Sequence, residues 1–323
     1  MYPGYITDVK GIKVGHSQSE EGMTGCTVII CEEGATGGVD VRGSAPGTRE
    51  TDLFKPDKMV DRVHAVVLSG GSAFGLDASS GVMKYLEEKG IGFDVGVTKV
   101  PIVASAVIFD LNIGDYRIRP DYHMGYNAAL NANDKEDKQG NIGCGKGATI
   151  GKILGPQNAM KAGLGSASIK IGELVVSAIV AVNSFGDIYD YKTNTQLAGV
   201  YDYKNSVQLN TIKIMKAESL ILDFPMKNTT IGVIATNAIL SKAEANKVAE
   251  MAHNGYAKSI NPVHTMLDGD TIFTMATNSV KSDVNIVGIL AAEVMSMAIT
   301  NGVVNAEGYK ELVSYKDIKK TIV

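Results

Sequence analysis

Short apolar runs, many of them closed by glycine, alternate along this chain with longer segments that read as helices. The first third reads as strands and turns: "GIKVGHS" at 11–17, "GCTVIICEEG" at 25–34 and "ATGGVDVRGSAPGTRETDLF" at 35–54. An apolar strand over 63–68 then passes through a Gly-Gly turn into a helix that stops on Lys89-Gly90, a basic-then-glycine ending. The apolar run "KVPIVASAVIFDL" at 99–111 precedes a helix in "DYHMGYNAALNAND" and a charged loop. Glycine dominates 140–168, and "ASIKIGELVVSAIVAVNSFGDIYD" at 167–190 reads as two strands of an antiparallel hairpin. The polar stretch 189–227 holds "YDYK" twice, too little for a repeat. After it come a strand to about 236, an Ala/Lys/Glu-rich helix entered through 237–241 with Gly255 as its stop, a strand "DTIFTMAT", and a final apolar helix "VNIVGILAAEVMSMAITNGVV". Buried strands with helices to cover them predict one layered domain of mixed α and β structure.

Composition narrows the function. At 323 residues and 45% hydrophobic content the chain can bury a substantial core. A formal charge of −4, with no basic run interleaved with aromatics, argues against nucleic acid as a partner. Even "GELVVSAIVAVNSFG" breaks well short of the roughly 18–20 apolar residues of a membrane span. The expectation is a soluble, cytoplasmic protein that acts on a small molecule, away from membranes. Cys26, Cys31 and Cys144 have neither disulfide-framework nor metal spacing, and the five histidines, His16, His64, His123, His253 and His264, are scattered. Nothing here proposes a metal or a cofactor.

Three glycine-rich motifs come close to known ones and miss. "GGSAFG" at 70–75 would need glycine at Ser72 to be a dinucleotide fingerprint and at Phe74 to be a nucleophile elbow. It reads as a tight packing turn or a substrate-contacting helix entry built from Gly70, Gly71 and Ser72. "GNIGCGKG" has Gly147 where a phosphate loop places Ser or Thr, and Lys152 in "GATIGKILG" misses the same pattern.

The stretch "MKNTTIGVIATNA" at 226–238 sets the polar quartet Lys227-Asn228-Thr229-Thr230 at the mouth of an apolar strand. Asn228-Thr229-Thr230 fits the glycosylation pattern, but the N-terminus "MYPGYITDVKGIKVGHS" does not read as a secretion signal. A loop-to-strand junction is one reading. The other is chemical. A threonine hydroxyl is a poor nucleophile until a base takes its proton, and a free α-amine, with a pKa of about 7.7–8.0, is such a base at cellular pH. An N-terminal threonine therefore carries nucleophile and base in one residue, held permanently within reach. An internal threonine reaches that state by self-cleavage. Such a site also needs carboxylates and an oxyanion donor. Asp268 and Asp270, two apart before a strand, supply the first, and an Asx turn is their alternative. Asn183, ending "VSAIVAVN", supplies the second, with a strand-end turn as its alternative.

The ordered set "GATIGK", "VNSFGD", "NTTIGVIATN" and "MLDGDTIF" resembles the self-cleaving β-peptidyl aminopeptidase and L-aminopeptidase/D-esterase family, and within it the endo-type 6-aminohexanoate-oligomer (nylon oligomer) hydrolases. "GIKVGHS", "TGCTVIICEEGATGGVDVRGSAPGTRETDL" and "AVVLSGGSAFGLDAS" extend the likeness over nearly the whole chain. The resemblance implies a four-layer αββα sandwich like that of N-terminal-nucleophile hydrolases, and a homo-oligomer, a tetramer of cut protomers. It implies a single hydrolase domain, 1–323, cut between Asn228 and Thr229 into a large piece of 228 residues and a small one of 95 (323 minus 228). Carried over residue by residue, Thr229 matches the nucleophile, Asp268 and Asp270 the acidic pair of the oligomer-hydrolase branch, Asn183 the oxyanion-hole asparagine and Lys152 the site lysine. Where some members have a tyrosine, this chain aligns Phe109. The implied activity is hydrolysis of linear aliphatic amides, such as 6-aminohexanoate oligomers or short peptides including β-peptides. An acyltransferase of the ornithine acetyltransferase kind and an exo-acting aminopeptidase are the alternatives.

Overall fold

The structure, a computed structural model, describes residues 1–218 and 228–321. Lys227, first of the polar quartet, lies outside the described residues. The elements that place the site are β1 (Lys13–Ser19), β2 (Thr24–Val41), β3 (Arg62–Ser69), α1 (Ala78–Glu88), β4 (Val103–Val107), α2 (Tyr122–Leu130), β5 (Leu164–Ile171), β6 (Leu174–Asn183), β7 (Thr229–Ala238), α3 (Lys242–Ser259), β8 (Thr271–Val280) and α4 (Val284–Val304). One nine-stranded mixed sheet runs β5-β6-β7-β8-β2-β3-β4 to a two-residue edge strand, Thr48–Arg49, with β1 beside β2. Strands β5 and β6 form the predicted antiparallel hairpin, β6 pairs antiparallel with β7, and β7 runs parallel to β8.

The N-terminal strands differ from the sequence reading. "GCTVIICEEG" and the start of "ATGGVDVRGS" are one 18-residue strand, β2, rather than two. Its pairing with β3 slips between Ile30 and Ala35, where Glu32 and Glu33 are exposed and Gly34 takes a φ of 74°. A bulge of this kind bends a strand without ending it, and glycine accepts the left-handed backbone at little cost. The bend lets β2 serve both halves of the sheet: residues 24–30 pair with β1, 26–30 also with β3, and 36–41 with β8.

Because of that bend the sheet folds over itself. Alternate residues of β6, β7 and β8, among them Ile179, Ala181, Ile231, Val233 and Phe273, meet Val66, Leu68, Ala104 and Ala106 of β3 and β4 in a core between the two halves. The opposite residues of β6 to β8, such as Val180, Ile234 and Ile272, pack under α3 and α4. On the other side Cys26, Val28, Ala65 and Val67 pack under α1 and α2. The order helix, sheet, sheet, helix is the four-layer sandwich, and β6, buried along its whole length, is apolar on both faces because each face is covered.

Helix α3 begins just after Ser241, the end of the predicted entry, on a capping box in which Ser241 and Glu244 satisfy each other's backbone N–H groups. It does not stop at Gly255. The helix continues to Ser259, and a Cβ at Gly255 would lie 2.4 Å from the Ala292 carbonyl oxygen and 2.9 Å from Met295 Cβ of α4. Glycine is there for close helix contact, not termination. Gly255→Val is expected to lower the unfolding free energy by about 1–3 kcal/mol in urea titration, because overpacking against backbone outweighs the propensity of roughly 1 kcal/mol that a helix interior loses on glycine. Helix α4 has the length and apolarity of a membrane span, but 83% of its most apolar window is buried within the fold, which is the position of a core helix.

Candidate active site

Strand β7 sends Thr229, Ile231, Val233 and Ala235 to one face, and the last three lie in the core between the half-sheets. Thr229 thus sits at the mouth of the inter-sheet layer, 4% exposed, on a strand hydrogen-bonded to neighbours on both sides. Directly across the β6–β7 ladder from it is Asn183, which shares a face with Ile179 and Ala181. Residues opposed in this way hold their Cβ atoms about 4.5–5.5 Å apart, so the two side chains are neighbours.

The carbonyl of Asn228 is held from two sides. It accepts the Thr229 hydroxyl at 2.5 Å and the Gly269 backbone N–H at 2.9 Å. The Asn228 N–H in turn donates to the Leu267 carbonyl at 2.8 Å. The peptide bond before Thr229 is therefore clamped against 267–269, with its carbonyl polarised by an amide. Gly269 has no room for a side chain: a Cβ there would lie 2.7 Å from the Ala45 carbonyl oxygen and 2.9 Å from Thr229 Oγ1. The 267–270 segment is itself pinned, since Ala45 N–H donates to the Asp268 carbonyl at 2.9 Å and Arg42 N–H to that of Asp270 at 3.0 Å.

Lys152 and Asn183 form one unit. Lys152 Nζ donates to Asn183 Oδ1 at 2.8 Å and to the Asn183 carbonyl at 3.2 Å, while Thr149 N–H donates to the same Oδ1 at 3.0 Å. With its oxygen so occupied, the Asn183 amide donates one of its two Nδ2 N–H groups to the Phe109 carbonyl at 3.0 Å. Burial pulls the Lys152 ammonium down to about 7, against the opposing pull of the Asp268 carboxylate. Burial, then the neighbouring Asp270, pushes the Asp268 carboxyl up to about 6. A buried amine and a buried carboxyl that both titrate close to neutrality are suited to holding or passing a proton.

The two aspartates do not share a partner. Asp268 Oδ2 accepts from the Thr265 hydroxyl at 2.6 Å and from its N–H at 2.9 Å. Asp270 Oδ1 accepts the Thr230 N–H at 2.7 Å, and its Oδ2 accepts from His264. Asp270 thus grips the peptide just after Thr229, while Asp268 lies in register beside Asn228 just before it.

Of the turn residues, Gly70 and Gly71 are buried and Ser72 is half-buried. They reach the site indirectly, through Asp110, which accepts the Gly71 N–H at 2.7 Å and the Thr24 hydroxyl at 2.7 Å. Phe109, next to it, contributes its carbonyl to Asn183. Burial pushes the Asp110 carboxyl up to about 6, and Lys161, whose ammonium is pulled down to about 7 by burial, acts on it in the opposite sense. Sequence reasoning missed Asp110, Thr149, Lys161, His264, Thr265 and the Gly269 amide. The one available signal was Asp110 itself, a carboxylate at the end of the apolar run "VASAVIF". Among the described residues, no group of three or more His, Cys, Asp or Glu side chains is placed to hold a metal.

The fold is that of N-terminal-nucleophile hydrolases. It matches the L-aminopeptidase D-Ala-esterase/amidase of Ochrobactrum anthropi with a TM-score of 0.73 at 16% identity, covering 99% of this chain and 93% of that one. It matches a Burkholderia β-aminopeptidase with a TM-score of 0.69 at 19% identity, covering 99% and 95%. The chain belongs to peptidase family S58, whose sequence profile matches residues 4–313. An uncharacterised aminopeptidase of Mycobacterium tuberculosis H37Rv is 38% identical to it, with 97% of each chain covered. A 6-aminohexanoate-oligomer endohydrolase of Paenarthrobacter ureafaciens is 32% identical, over 84% of this chain and 75% of that one. The protein is a peptidase of the amide-hydrolysing kind.

Proposed function

We propose that the chain cuts itself between Asn228 and Thr229, and that the freed Thr229 is the nucleophile of a hydrolase acting on linear aliphatic amides. The observation that carries this reading is the hold on the Asn228 carbonyl: the Thr229 hydroxyl on one side, the Gly269 N–H on the other. In self-cleavage Thr229 Oγ bonds to the Asn228 carbonyl carbon, the Gly269 amide stabilises the oxyanion, and the C–N bond breaks to leave an ester and a free α-amine. Water then cleaves the ester, giving the Asn228 carboxylate and the Thr229 hydroxyl.

Turnover repeats the chemistry on a substrate. The α-amine takes the hydroxyl proton as Oγ attacks the substrate carbonyl, Asn183 Nδ2 and backbone N–H groups bind the oxyanion, and the resulting ammonium gives its proton to the leaving amine. The acyl-enzyme is released by water activated by the same amine. Lys152 keeps Asn183 oriented and balances the charge of Asp268, while Asp268 and Asp270 hold the segment on either side of the nucleophile.

Gly269→Ala tests the first half. Its Cβ would press on Thr229 Oγ1, so self-cleavage, followed by intact mass over time, is expected to slow by about 10- to 100-fold, the cost of losing one oxyanion donor's geometry. Self-cleavage at the wild-type rate would remove Gly269 from the mechanism. For substrate, the oligomer-hydrolase relative supports internal cleavage of linear amides, and the aminopeptidase names of the mycobacterial relatives favour a second reading, removal of one terminal residue at a time. Product sizes from 6-aminohexanoate oligomers, β-peptides and α-amino acid amides separate the two. Hydrolysis that gives way to acyl transfer when an amine acceptor is added would instead indicate an acyltransferase.

A further inference from the structure

Asp270 is held from behind by a residue to which the hydrolase reading assigns nothing. We infer that His264 is a positioning residue: it locks the Asp270 carboxylate so that one oxygen stays on the Thr230 N–H, setting the strand that carries Thr229. This inference rests on the amide-hydrolase reading of the site.

Two donors of one residue converge on Asp270 Oδ2, His264 Nδ1 at 2.8 Å and the His264 backbone N–H at 3.2 Å. A φ of 56° at His264 is what brings both to the same oxygen, and histidine is among the few non-glycine residues that adopt this left-handed backbone readily. With Oδ1 taken by the Thr230 N–H at 2.7 Å, the carboxylate has three fixed donors and is only 1% exposed. Its rotation would leave a buried N–H unpaired, at about 1–3 kcal/mol. A carboxylate oxygen only accepts, so the imidazole carries a hydrogen on Nδ1. The other ring nitrogen, Nε2, is buried and has no hydrogen-bond partner among the described residues.

Two rings pack against His264. From α3, His253 stacks edge-on against the His264 ring at 4.8 Å and Tyr256 lies at 6.0 Å. Burial holds His253 down to about 4 and Tyr256 well above its ordinary range, so neither ring is charged near neutrality. Asp40 of β2 faces His253 Nε2, accepting from it through the backbone carbonyl at 3.0 Å, with its carboxylate Oδ2 3.6 Å from the same nitrogen. Besides Asp270 itself, the charged group next along the chain is Asp268, which is bound to Thr265.

The test compares wild type with His264→Gly, His264→Leu, His264→Asn, Asp270→Asn and the double variant His264→Gly/Asp270→Asn. Glycine keeps the left-handed backbone and deletes the ring, leucine fills the space without a donor, and asparagine both tolerates the backbone and returns an N–H near the Nδ1 position. The readouts are the rate of self-cleavage and, with a linear 6-aminohexanoate tetramer as probe, kcat and KM separately. His264→Gly and His264→Leu are expected to lose about 10- to 100-fold in both rates with KM within about twofold, and His264→Asn to stay within about threefold of wild type. The double variant should be no slower than Asp270→Asn, because His264 acts only through Asp270. Wild-type rates in both ring-deleted variants, or losses that multiply in the double variant, would overturn the role of His264. Full activity in Asp270→Asn, or no self-cleavage and no turnover by wild type, would instead overturn the reading on which it rests. Should the ring-deleted variants fail to fold, loss of activity in a folded His264→Asn would also overturn it.

Discussion

Thr229→Ala should run on a denaturing gel as one intact 34.1 kDa chain and hydrolyse no amide, whereas the wild-type chain should separate into pieces of 228 and 95 residues. On the proposed mechanism the alanine variant loses the hydroxyl that would attack Asn228 and, with no cut made, also the amine that would serve as base. Both losses act on one step, so the drop in turnover is expected to be at least about 10⁴-fold, the scale on which removing a nucleophile operates. Stability should change little, since among the described residues the hydroxyl's hydrogen bond is a local one to the preceding carbonyl. A melting temperature near that of wild type would separate chemistry from folding. An alanine variant that still appears as two pieces, or an active wild type that stays in one piece, would refute the nucleophile assignment.

Lys152→Met is the second large effect. Methionine fills the buried volume without the ammonium, so the Asn183 amide keeps the Thr149 N–H and the Phe109 carbonyl but loses the charged donor to its Oδ1 and is held less firmly. The same change removes the cation that opposes the rise of the Asp268 carboxyl, already about 6. The sign follows directly: a nearby cation favours the carboxylate, its loss pushes the carboxyl further up, and a reaction that needs the carboxylate then begins only at higher pH. kcat is expected to fall about 100-fold at neutral pH and the acid limb of the kcat profile to move upward, with part of the loss recovered as pH rises. An unshifted acid limb would mean that Lys152 does not act on Asp268. Lys152→Arg should recover little, because a guanidinium is larger and cannot give up its proton as an ammonium held near 7 can.

How much of this was legible can be followed element by element. The hairpin of β5 and β6, the strand at 63–68, the entry of α3 by Ser241 and the extent of α4 are local matters, written in periodicity and end signals, and the sequence reading of them holds. The bend in β2 looks like a break in the sequence because Glu32, Glu33 and Gly34 resemble a turn. Whether such a triplet ends a strand or bends it depends on partners on both sides, here β3 and β8, that lie distant in sequence. Gly255 looked like a helix stop for the same reason: its purpose is contact with Ala292, which no local pattern contains.

The site divides in the same way. By itself the sequence determined the layered α and β class, the motifs in their order, and the residue types at the candidate site, because each depends on periodicity or on chemistry carried within a few residues. Only the tertiary structure decided that Asn183 faces Thr229 across a ladder, that Lys152 orients Asn183, that Gly269 holds the Asn228 carbonyl, and that Asp268 and Asp270 answer to different partners. Those are distances between chain segments far apart in sequence, and they exist only once folding has buried the charges, shifted Lys152 and Asp268 toward neutrality, and left each polar group to find its partner.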